Sequence, residues 1–369
     1  MRVTIAADAL SPRLSGIGRY CWELTQRIPL LADPDPTYFY RDGRIVDDLQ
    51  ALLAPRPPVV RPRFVRRMSA WWSTRETQRV LSSSIVHAPN YFLPVEAESG
   101  VLTVHDLSVF KFPETHPVER ISHFEREFAH SISRARLIIT DTETVRQEVI
   151  EHTGFAADRI VAIPLGVDQR YCPMPAKVLR PALAGWGLEP EQYALCVAAL
   201  EPRKRVGSLV LAWSRLPTSL RDRYPLVLAG PSGWLNDDLH ALIDRGEAAG
   251  WIKRVGFVPE AELPGLYAGA ALFAYPSVYE GFGLPLVEAM ACGVPVISSN
   301  ASCIPEVCGD AAALVEVDDV DALLASAMVG LTDVHWRAAA RDRGLARARS
   351  FTWDSCARAT YAAYGAALG

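Results

Sequence analysis

The segment of this sequence with the clearest chemical meaning is a glycine turn leading into a helix, within Pro276–Glu288. It reads PSVYEGFGLPLVE and follows a short apolar run typical of a buried strand. Gly281 and Gly283 let the backbone turn tightly, and Pro285 suits the first turn of a helix because its φ angle is already fixed. The pattern therefore predicts a strand, a turn and a helix that runs to Cys292.

The start of this helix has the properties of an anion site. The first backbone N–H groups of a helix have no partner within it, and the helix dipole adds partial positive charge there. Here these groups belong to Phe282, Gly283 and Leu284. We expect them to bind a phosphate group.

Two glutamates flank the expected anion site. Glu280 precedes the glycine turn and Glu288 lies one turn into the helix, so both can face a bound ligand. One could bind a sugar hydroxyl and the other a ribose. Without the other features, Glu280 would be interpreted as a charged loop residue and Glu288 as a solvated acid in the first turn of the helix. The glycine turn and Pro285 favour the functional interpretation.

A second candidate site is the tetrapeptide Glu201-Pro202-Arg203-Lys204, which follows an apolar strand. Basic residues at the carboxyl end of a parallel strand are placed to neutralise a phosphate. Arg203 can bind two oxygens at once, and Lys204 supplies a point charge. In isolation the tetrapeptide would be a solvated turn; together with the glycine turn it indicates a phosphate site.

The N-terminal region contains a glycine loop, SGIGRY, before a helix, with glycines at Gly16 and Gly18. It resembles half of a dinucleotide fingerprint, but the third glycine is replaced by Cys21 and the loop begins several residues beyond the strand. A plain NAD site is therefore disfavoured. The glycines would still allow the backbone to approach a phosphate closely.

A strand in the same region ends in the polar pair His105 and Asp106. A histidine at a strand end is usually structural, but here it could exchange hydrogen bonds with substrate hydroxyls, with Asp106 fixing its orientation. His87 and Asn90 end the neighbouring strand and are weaker candidates for contacts with an acceptor.

Arginine is concentrated in the stretch Arg56–Arg79, where it is interleaved with Phe64, Trp71 and Trp72. This composition suits contact with anionic lipid head groups at a membrane surface. A solvated face with core tryptophans explains it equally well.

A metal site is not supported by the sequence. The two D-x-D matches, Asp33-Pro34-Asp35 and Asp319-Val320-Asp321, lie in a proline-rich loop and at a helix start. The seven cysteines are scattered without C-x-x-C spacing, which fits a reducing cytoplasm. We expect no metal ion and no cofactor.

The composition indicates a folded, soluble protein of two domains. The chain has 369 residues, of which 50% are hydrophobic and 22% charged. A net charge of −4 gives no overall attraction for nucleic acid. Neither a signal-peptide core nor an apolar run of membrane-spanning length is evident, so we expect a protein that is neither exported nor membrane-spanning.

Short β-branched runs alternate with helical periods in both halves, which predicts an α/β protein with two doubly wound, Rossmann-like parallel-sheet domains. A proline-rich stretch between Pro164 and Pro190 is expected to contain the linker and no uninterrupted helix. If the carboxyl ends of the two sheets face each other across a cleft, a ligand would bind between them.

The motifs GIGRY, HD, EPRK and EGFGLPLVEAMACGVPVI have the order and spacing of the family 4 retaining glycosyltransferases of GT-B fold. The resemblance is strongest to bacterial α-mannosyltransferases of polysaccharide synthesis and covers nearly the whole chain. The segment PLGVD at Pro164–Asp168 is similar to the P-N-G-V-D of the family, with Leu165 in place of asparagine.

The resemblance implies an acceptor-binding domain of residues 1–168 and a nucleotide-sugar-binding domain of residues 169–352, with the helix of residues 353–369 packing back on the first. Arg203 and Lys204 would bind the donor diphosphate, Glu288 the ribose and Glu280 the transferred sugar. The remaining implied contacts are backbone donors at Phe282, Gly283 and Leu284, nucleobase contact at the Val258 backbone, sugar binding by His105, and closure by Gly16 and Gly18.

The implied activity is metal-independent, retaining transfer of a hexose, most simply mannose from GDP-mannose, to a glycan or lipid-linked glycan in cell-surface polysaccharide or lipopolysaccharide synthesis. The expected location is the cytoplasm, at the inner face of the membrane. The alternatives are a transferase using a UDP-sugar, a sugar-nucleotide epimerase, an NAD-dependent oxidoreductase, and a membrane scaffold without activity.

Overall fold

The structure, a computed structural model, describes residues 1–54, 75–233 and 237–368. The chain divides into two compact units. The first contains Met1–Leu107, Val118–Gly166 and Trp353–Gly369, and the second contains Ser108–Pro117 and Val167–Thr352. Each unit has its own sheet and its own core.

The first unit is built on a seven-stranded sheet in the order β3-β2-β1-β4-β5-β6-β7. All neighbours in it are parallel except β2 and β3 at one edge. Its strands are β1 (Val3–Ala6), β2 (Thr37–Arg41), β3 (Arg44–Ile45), β4 (Ile85–Ala88), β5 (Gly100–Val104), β6 (Ala135–Thr140) and β7 (Ile160–Ala162).

The second unit is built on a six-stranded parallel sheet in the order β10-β9-β8-β11-β12-β13. This is the doubly wound order in which the chain starts centrally, moves to one edge and then returns to fill the other. Its strands are β8 (Ala194–Val197), β9 (Leu226–Ala229), β10 (Ile252–Gly256), β11 (Leu272–Tyr275), β12 (Val296–Ser299) and β13 (Ala312–Val315). The order reverses between β8 and β11, the position at which such sheets bind ligands.

Helices connect the strands in both units, and residues 75–82 are also helical. In chain order the helices are α1 (Gly16–Ala32), α2 (Gln50–Leu53), α3 (Ser108–Lys111), α4 (Val118–Arg134), α5 (Glu143–Thr153), α6 (Ala176–Ala184), α7 (Val206–Ser214), α8 (Thr218–Arg223), α9 (Asp237–Ala248), α10 (Leu263–Ala268), α11 (Leu284–Ala291), α12 (Ile304–Cys308), α13 (Val320–Thr332), α14 (Val334–Ala348) and α15 (Trp353–Ala366). Within the described ranges, none of them combines the length and apolar composition needed to cross a bilayer.

The last helix, α15, packs inside the first unit, against α1. Its Tyr364 is fully buried and its hydroxyl lies 2.8 Å from Nδ1 of His87 on β4. Trp353 at its start packs against the ring of Tyr20 on α1. The C-terminal segment is therefore part of the first core although it follows the second unit in sequence.

His87 makes the first unit sensitive to acid. It is fully buried, with Nε2 2.8 Å from the hydroxyl of Thr103. Burial, reinforced by the neighbouring His105, lowers the pKa of His87 to about 3. An unfolded histidine titrates near pH 6.5, so below that pH the unfolded chain binds a proton that the folded one does not. Through His87, the free energy of unfolding should fall by up to about 1.4 kcal/mol per pH unit below about pH 6.5.

The measurement is urea unfolding between pH 7 and pH 5 for the wild type and for His87→Gln, which can still donate and accept hydrogen bonds. We expect a smaller loss of stability on acidification in the variant. His335→Gln removes an exposed histidine and serves as the control. Equal pH slopes for His87→Gln and the wild type would show that His87 does not cause the acid sensitivity.

The doubly wound α/β architecture predicted from the sequence is confirmed. The stretch between Pro164 and Pro190 contains the division between the two units and is not one uninterrupted helix, as expected, but it does include the short helix α6, with Pro181 inside it. Leu179 and Leu183 of α6 are buried, so packing of its apolar face holds the helix despite the proline. The edge strands β2, β3 and β13 were not predicted.

The division of the chain lies between Gly166 and Val167, close to the expected boundary after residue 168. Ser108–Pro117 differs from expectation, since it belongs to the second unit although the sequence placed it in the first.

Candidate active site

The predicted phosphate-binding residues lie at the carboxyl edge of the second sheet, where the strand order reverses. Arg203 and Lys204 follow β8 in a 3₁₀ turn, Pro202–Lys204, and Glu280 follows β11. Since β8 and β11 are hydrogen-bonded neighbours, residues about eighty positions apart in sequence meet at one point. The structure thus brings the two strongest sequence motifs together.

The helix start predicted from the glycine turn is found at α11. Gly283 caps it with φ 88° and ψ 53°, a left-handed conformation that other residues rarely adopt. Pro285 lies in its first turn. The backbone N–H groups of Phe282, Gly283 and Leu284 donate to no residue that the structure describes. Three consecutive N–H groups at a helix start form a site for an anion.

The side chains of Lys204, Glu280 and Tyr275 form a compact triangle beside this helix start. Lys204 Nζ lies 2.6 Å from Glu280 Oε1 and 3.0 Å from the hydroxyl oxygen of Tyr275. The Tyr275 hydroxyl in turn donates to Glu280 Oε1 over 2.9 Å. Arg203 lies close by, with Nη1 3.6 Å from the same carboxylate oxygen. One carboxylate therefore holds two cations at the sheet edge.

Glu280 is ionised in this arrangement. Burial works against its charge, but the ammonium of Lys204 and the guanidinium of Arg203 outweigh it and hold the pKa of Glu280 below its usual value. Burial and the Glu280 carboxylate raise the pKa of Tyr275 well above its usual value, so its hydroxyl stays protonated.

The backbone on either side of Glu280 is fixed by neighbouring loops. Arg203 Nη1 donates to the carbonyl oxygen of Tyr279, and the carbonyl of Arg203 accepts from the N–H of Val278 at 3.0 Å. The Ser302 hydroxyl donates to the carbonyl oxygen of Glu280 over 2.7 Å. Residues that follow β8 and β12 thus anchor the loop, which holds the carboxylate in place.

Sequence reasoning missed a contact from the first half of the chain. Within the second unit, the ring of Phe112 packs on that of Tyr279 with centroids 5.2 Å apart. Lys111 Nζ lies 5.4 Å from the centroid of the same ring. No local pattern around Lys111 pointed to this position, because the contact joins residues far apart in sequence.

Glu288 and Val258 both lie in the second unit. Glu288 lies in α11, is half-buried, and lies close enough to Tyr267 to help burial raise the pKa of that hydroxyl. Val258 is buried just after β10. Contact of Glu288 with a ribose and of Val258 with a nucleobase stay predictions.

In the first unit, Gly16 and Gly18 open α1 as predicted. The N–H of Gly18 already donates to the capping hydroxyl of Ser15 at 3.2 Å. A Cβ on Gly18 would come within 3.0 Å of the carbonyl oxygen of Ala9, so close packing inside this unit explains the glycine. Their proposed closure on a donor stays a prediction.

His105 is buried, and both of its ring nitrogens have partners. Nδ1 lies 2.8 Å from Asp141 Oδ2, and Nε2 donates to the carbonyl of Pro89 at 2.9 Å. Burial opposes its charge, but Asp141 raises the pKa of His105 above its usual value. Asp141, and not Asp106, therefore orients the ring, which corrects the sequence-based expectation. A hydrogen bond from His105 to a sugar would replace one of these contacts and stays a prediction.

The prediction that His87 contacts an acceptor is wrong, because the residue is fully buried and hydrogen-bonded through both ring nitrogens.

The arginine-rich stretch Arg56–Arg79 lies, up to residue 74, outside the described residues. In the part of the chain that is described, no three His, Cys, Asp or Glu side chains are grouped for a metal. Independence from metals and cofactors stays a prediction.

Comparison with known proteins identifies the class. The family model described as Glycosyltransferase Family 4 matches residues 14–171, and the one described as Glycosyl transferases group 1 matches residues 185–339. The solved sucrose-phosphate synthase from Thermosynechococcus elongatus superposes with a TM-score of 0.74 at 19% identity, covering 100% of this chain and 99% of that one. HepE of Anabaena in complex with UDP and glucose gives a TM-score of 0.73 at 17% identity, covering 99% and 100%. The fold is that of the GT-B glycosyltransferases.

A curated relative extends over the whole chain. O-antigen chain mannosyltransferase B of Escherichia coli is 37% identical over 382 residues, covering 99% of each chain. This chain therefore belongs to the family 4 glycosyltransferases of GT-B fold.

Proposed function

We propose that this glycosyltransferase transfers mannose, with retention of configuration, from GDP-mannose to a growing glycan in the synthesis of a cell-surface polysaccharide. The relative of 37% identity, an O-antigen chain mannosyltransferase by name, supports the sugar and the pathway class. The observation that carries the chemistry is the pairing of Arg203 and Lys204 with Glu280, three residues before the α11 cap Gly283.

The arrangement suits stabilisation of a leaving phosphate. Breaking the bond between the sugar and the diphosphate places negative charge on the phosphate oxygens. Lys204 and Arg203 supply positive charge from one side, and the N–H groups of residues 282–284 supply hydrogen bonds at the helix start. Because the charge grows as the bond breaks, these groups stabilise the transition state more than the bound donor.

Glu280 is proposed to bind the transferred sugar and not to attack it. A retaining reaction can use a carboxylate nucleophile. Here, however, Glu280 Oε1 is shared by Lys204 and Tyr275, which lowers its reactivity. We therefore propose attack by the acceptor hydroxyl on the face that the phosphate leaves, with the phosphate accepting the proton from that hydroxyl.

Transfer assays test this function. The purified chain is incubated with GDP-mannose or UDP-glucose and a short mannose oligosaccharide on a lipid-like aglycone, with and without EDTA. We expect transfer from GDP-mannose, no loss of rate with EDTA, and an α-linked product by NMR. Transfer from the UDP-sugar alone would overturn the donor assignment. Conversion of the donor without acceptor would instead indicate an epimerase.

Location at the membrane belongs to the same proposal. A lipid-linked acceptor would bring the enzyme to the inner face of the membrane, and the arginine-rich stretch would suit contact with anionic head groups. Sedimentation with vesicles that contain an anionic phospholipid, compared with neutral vesicles, tests this point. Equal recovery in the supernatant with both vesicles would contradict it.

A further inference from the structure

The Tyr275 hydroxyl lies between the two charged groups of the site. It is the last residue of β11 and only 2% exposed. Its oxygen accepts from Lys204 Nζ at 3.0 Å, and its proton is donated to Glu280 Oε1 at 2.9 Å. The hydroxyl thus both accepts and donates a hydrogen bond, and both of its partners are residues of the site.

Packing alone does not explain this hydroxyl. The Tyr275 ring stacks on that of Phe273 with an interplanar angle of 17°, and phenylalanine would fill the same space. Burying a hydroxyl costs free energy that only its hydrogen bonds recover. Here both hydrogen bonds go to site residues, so what the hydroxyl adds to the molecule is the placement of Lys204 and Glu280.

The geometry leaves a defined part of Lys204 for a ligand. An ammonium group has three N–H donors. Two of these N–H groups donate to Glu280 and Tyr275. Among the described residues, Lys204 Nζ has no other hydrogen-bond partner. With two donors fixed, the direction of the third is fixed as well, so the ammonium cannot turn freely about its stem.

We propose that Tyr275 is a positioning residue for the transfer reaction, because its hydroxyl fixes the Lys204 ammonium so that the third N–H is directed at the donor phosphate. This rests on the function proposed above. Without the hydroxyl, Lys204 would still pair with Glu280, but the ammonium would rotate and meet the phosphate in the right orientation less often.

The test is Tyr275→Phe, which keeps the ring and removes only the hydroxyl. We expect kcat to fall about tenfold, as for loss of one hydrogen bond to a charged group, with a smaller change in KM for the donor. The acid limb of the kcat/KM profile should move to higher pH, because Glu280 loses a donor that stabilises its charged form. A buried hydroxyl with a purely structural role would leave that limb in place.

Tyr193→Phe is the matched control. Tyr193 is also fully buried in the second unit, and its hydroxyl donates to the Leu266 carbonyl at 2.5 Å, without contact to the site. Thermal unfolding of both variants shows whether they fold. We expect Tyr193→Phe to keep the wild-type kcat and acid limb.

A double-mutant cycle with Lys204→Ala separates the two levels of the proposal. If Tyr275 acts through Lys204, Tyr275→Phe should have little effect on kcat in the Lys204→Ala background. A tenfold loss in both backgrounds, or wild-type kcat and acid limb in Tyr275→Phe alone, would overturn the positioning role. Wild-type activity of Lys204→Ala would instead overturn the proposed phosphate site itself.

Discussion

Lys204→Ala and Arg203→Ala are each expected to lower kcat/KM by at least about tenfold, which corresponds to about 1.4 kcal/mol of lost transition-state stabilisation. Both cations lie at the switch point of the second sheet, with little exposure to solvent. In such a site a charge is screened weakly, so its removal is felt strongly by a phosphate that becomes more negative during the reaction.

The effect should appear mainly in kcat, since the charge develops during bond breaking. Steady-state kinetics with the nucleotide-sugar donor measure it. Arg205→Ala provides the control: Arg205 follows Lys204 directly, but its side chain is 40% exposed and pairs with Asp318 at 3.4 Å. Undiminished kcat/KM in both site variants would exclude a role for these cations.

Trp213→Ala is expected to cost about 3 to 5 kcal/mol in the free energy of unfolding, as for other large aromatic side chains removed from a core. Trp213 lies on α7, has no exposed surface, and donates from Nε1 to the Tyr224 carbonyl at 3.0 Å. Truncation would leave a cavity under α7 and an unpaired carbonyl. Since α7 begins two residues after Lys204, activity should also be lost at lower urea concentration.

Urea unfolding followed by circular dichroism measures this cost. Leu211→Ala serves as the control, because Leu211 lies on the same helix with 43% of its surface exposed. We expect that variant to lose less than about 1 kcal/mol, as exposed substitutions generally do. Similar losses for both variants would show that burial of Trp213 is not what holds α7 in place.

The fold was predictable because both sheets are parallel and buried. Their strands read as short apolar runs between helical periods, and this alternation is what predicted the α/β class. The edge strands β2, β3 and β13 were not predicted, because their residues are mostly half-buried or exposed and form no buried apolar run. The short helix α6 was not predicted either, because Pro181 disfavours a helix and packing of the apolar face outweighs that local preference.

The candidate site was predictable only where a local pattern carried it. In the sequence, Gly283 and Pro285 predict the start of a helix, and EPRK predicts basic side chains just after a strand. Nothing around Tyr275 indicated more than the end of a strand, and no motif indicated that Asp141 would contact His105. Their roles depend on which strands are neighbours, which residue types and spacing do not specify.

A crystal structure with GDP bound tests the proposed phosphate site most directly. We predict that the diphosphate lies within hydrogen-bonding distance of Lys204 Nζ and of the N–H groups of Phe282, Gly283 and Leu284. A well-ordered GDP at any other place on the chain, with these groups unoccupied, would contradict it.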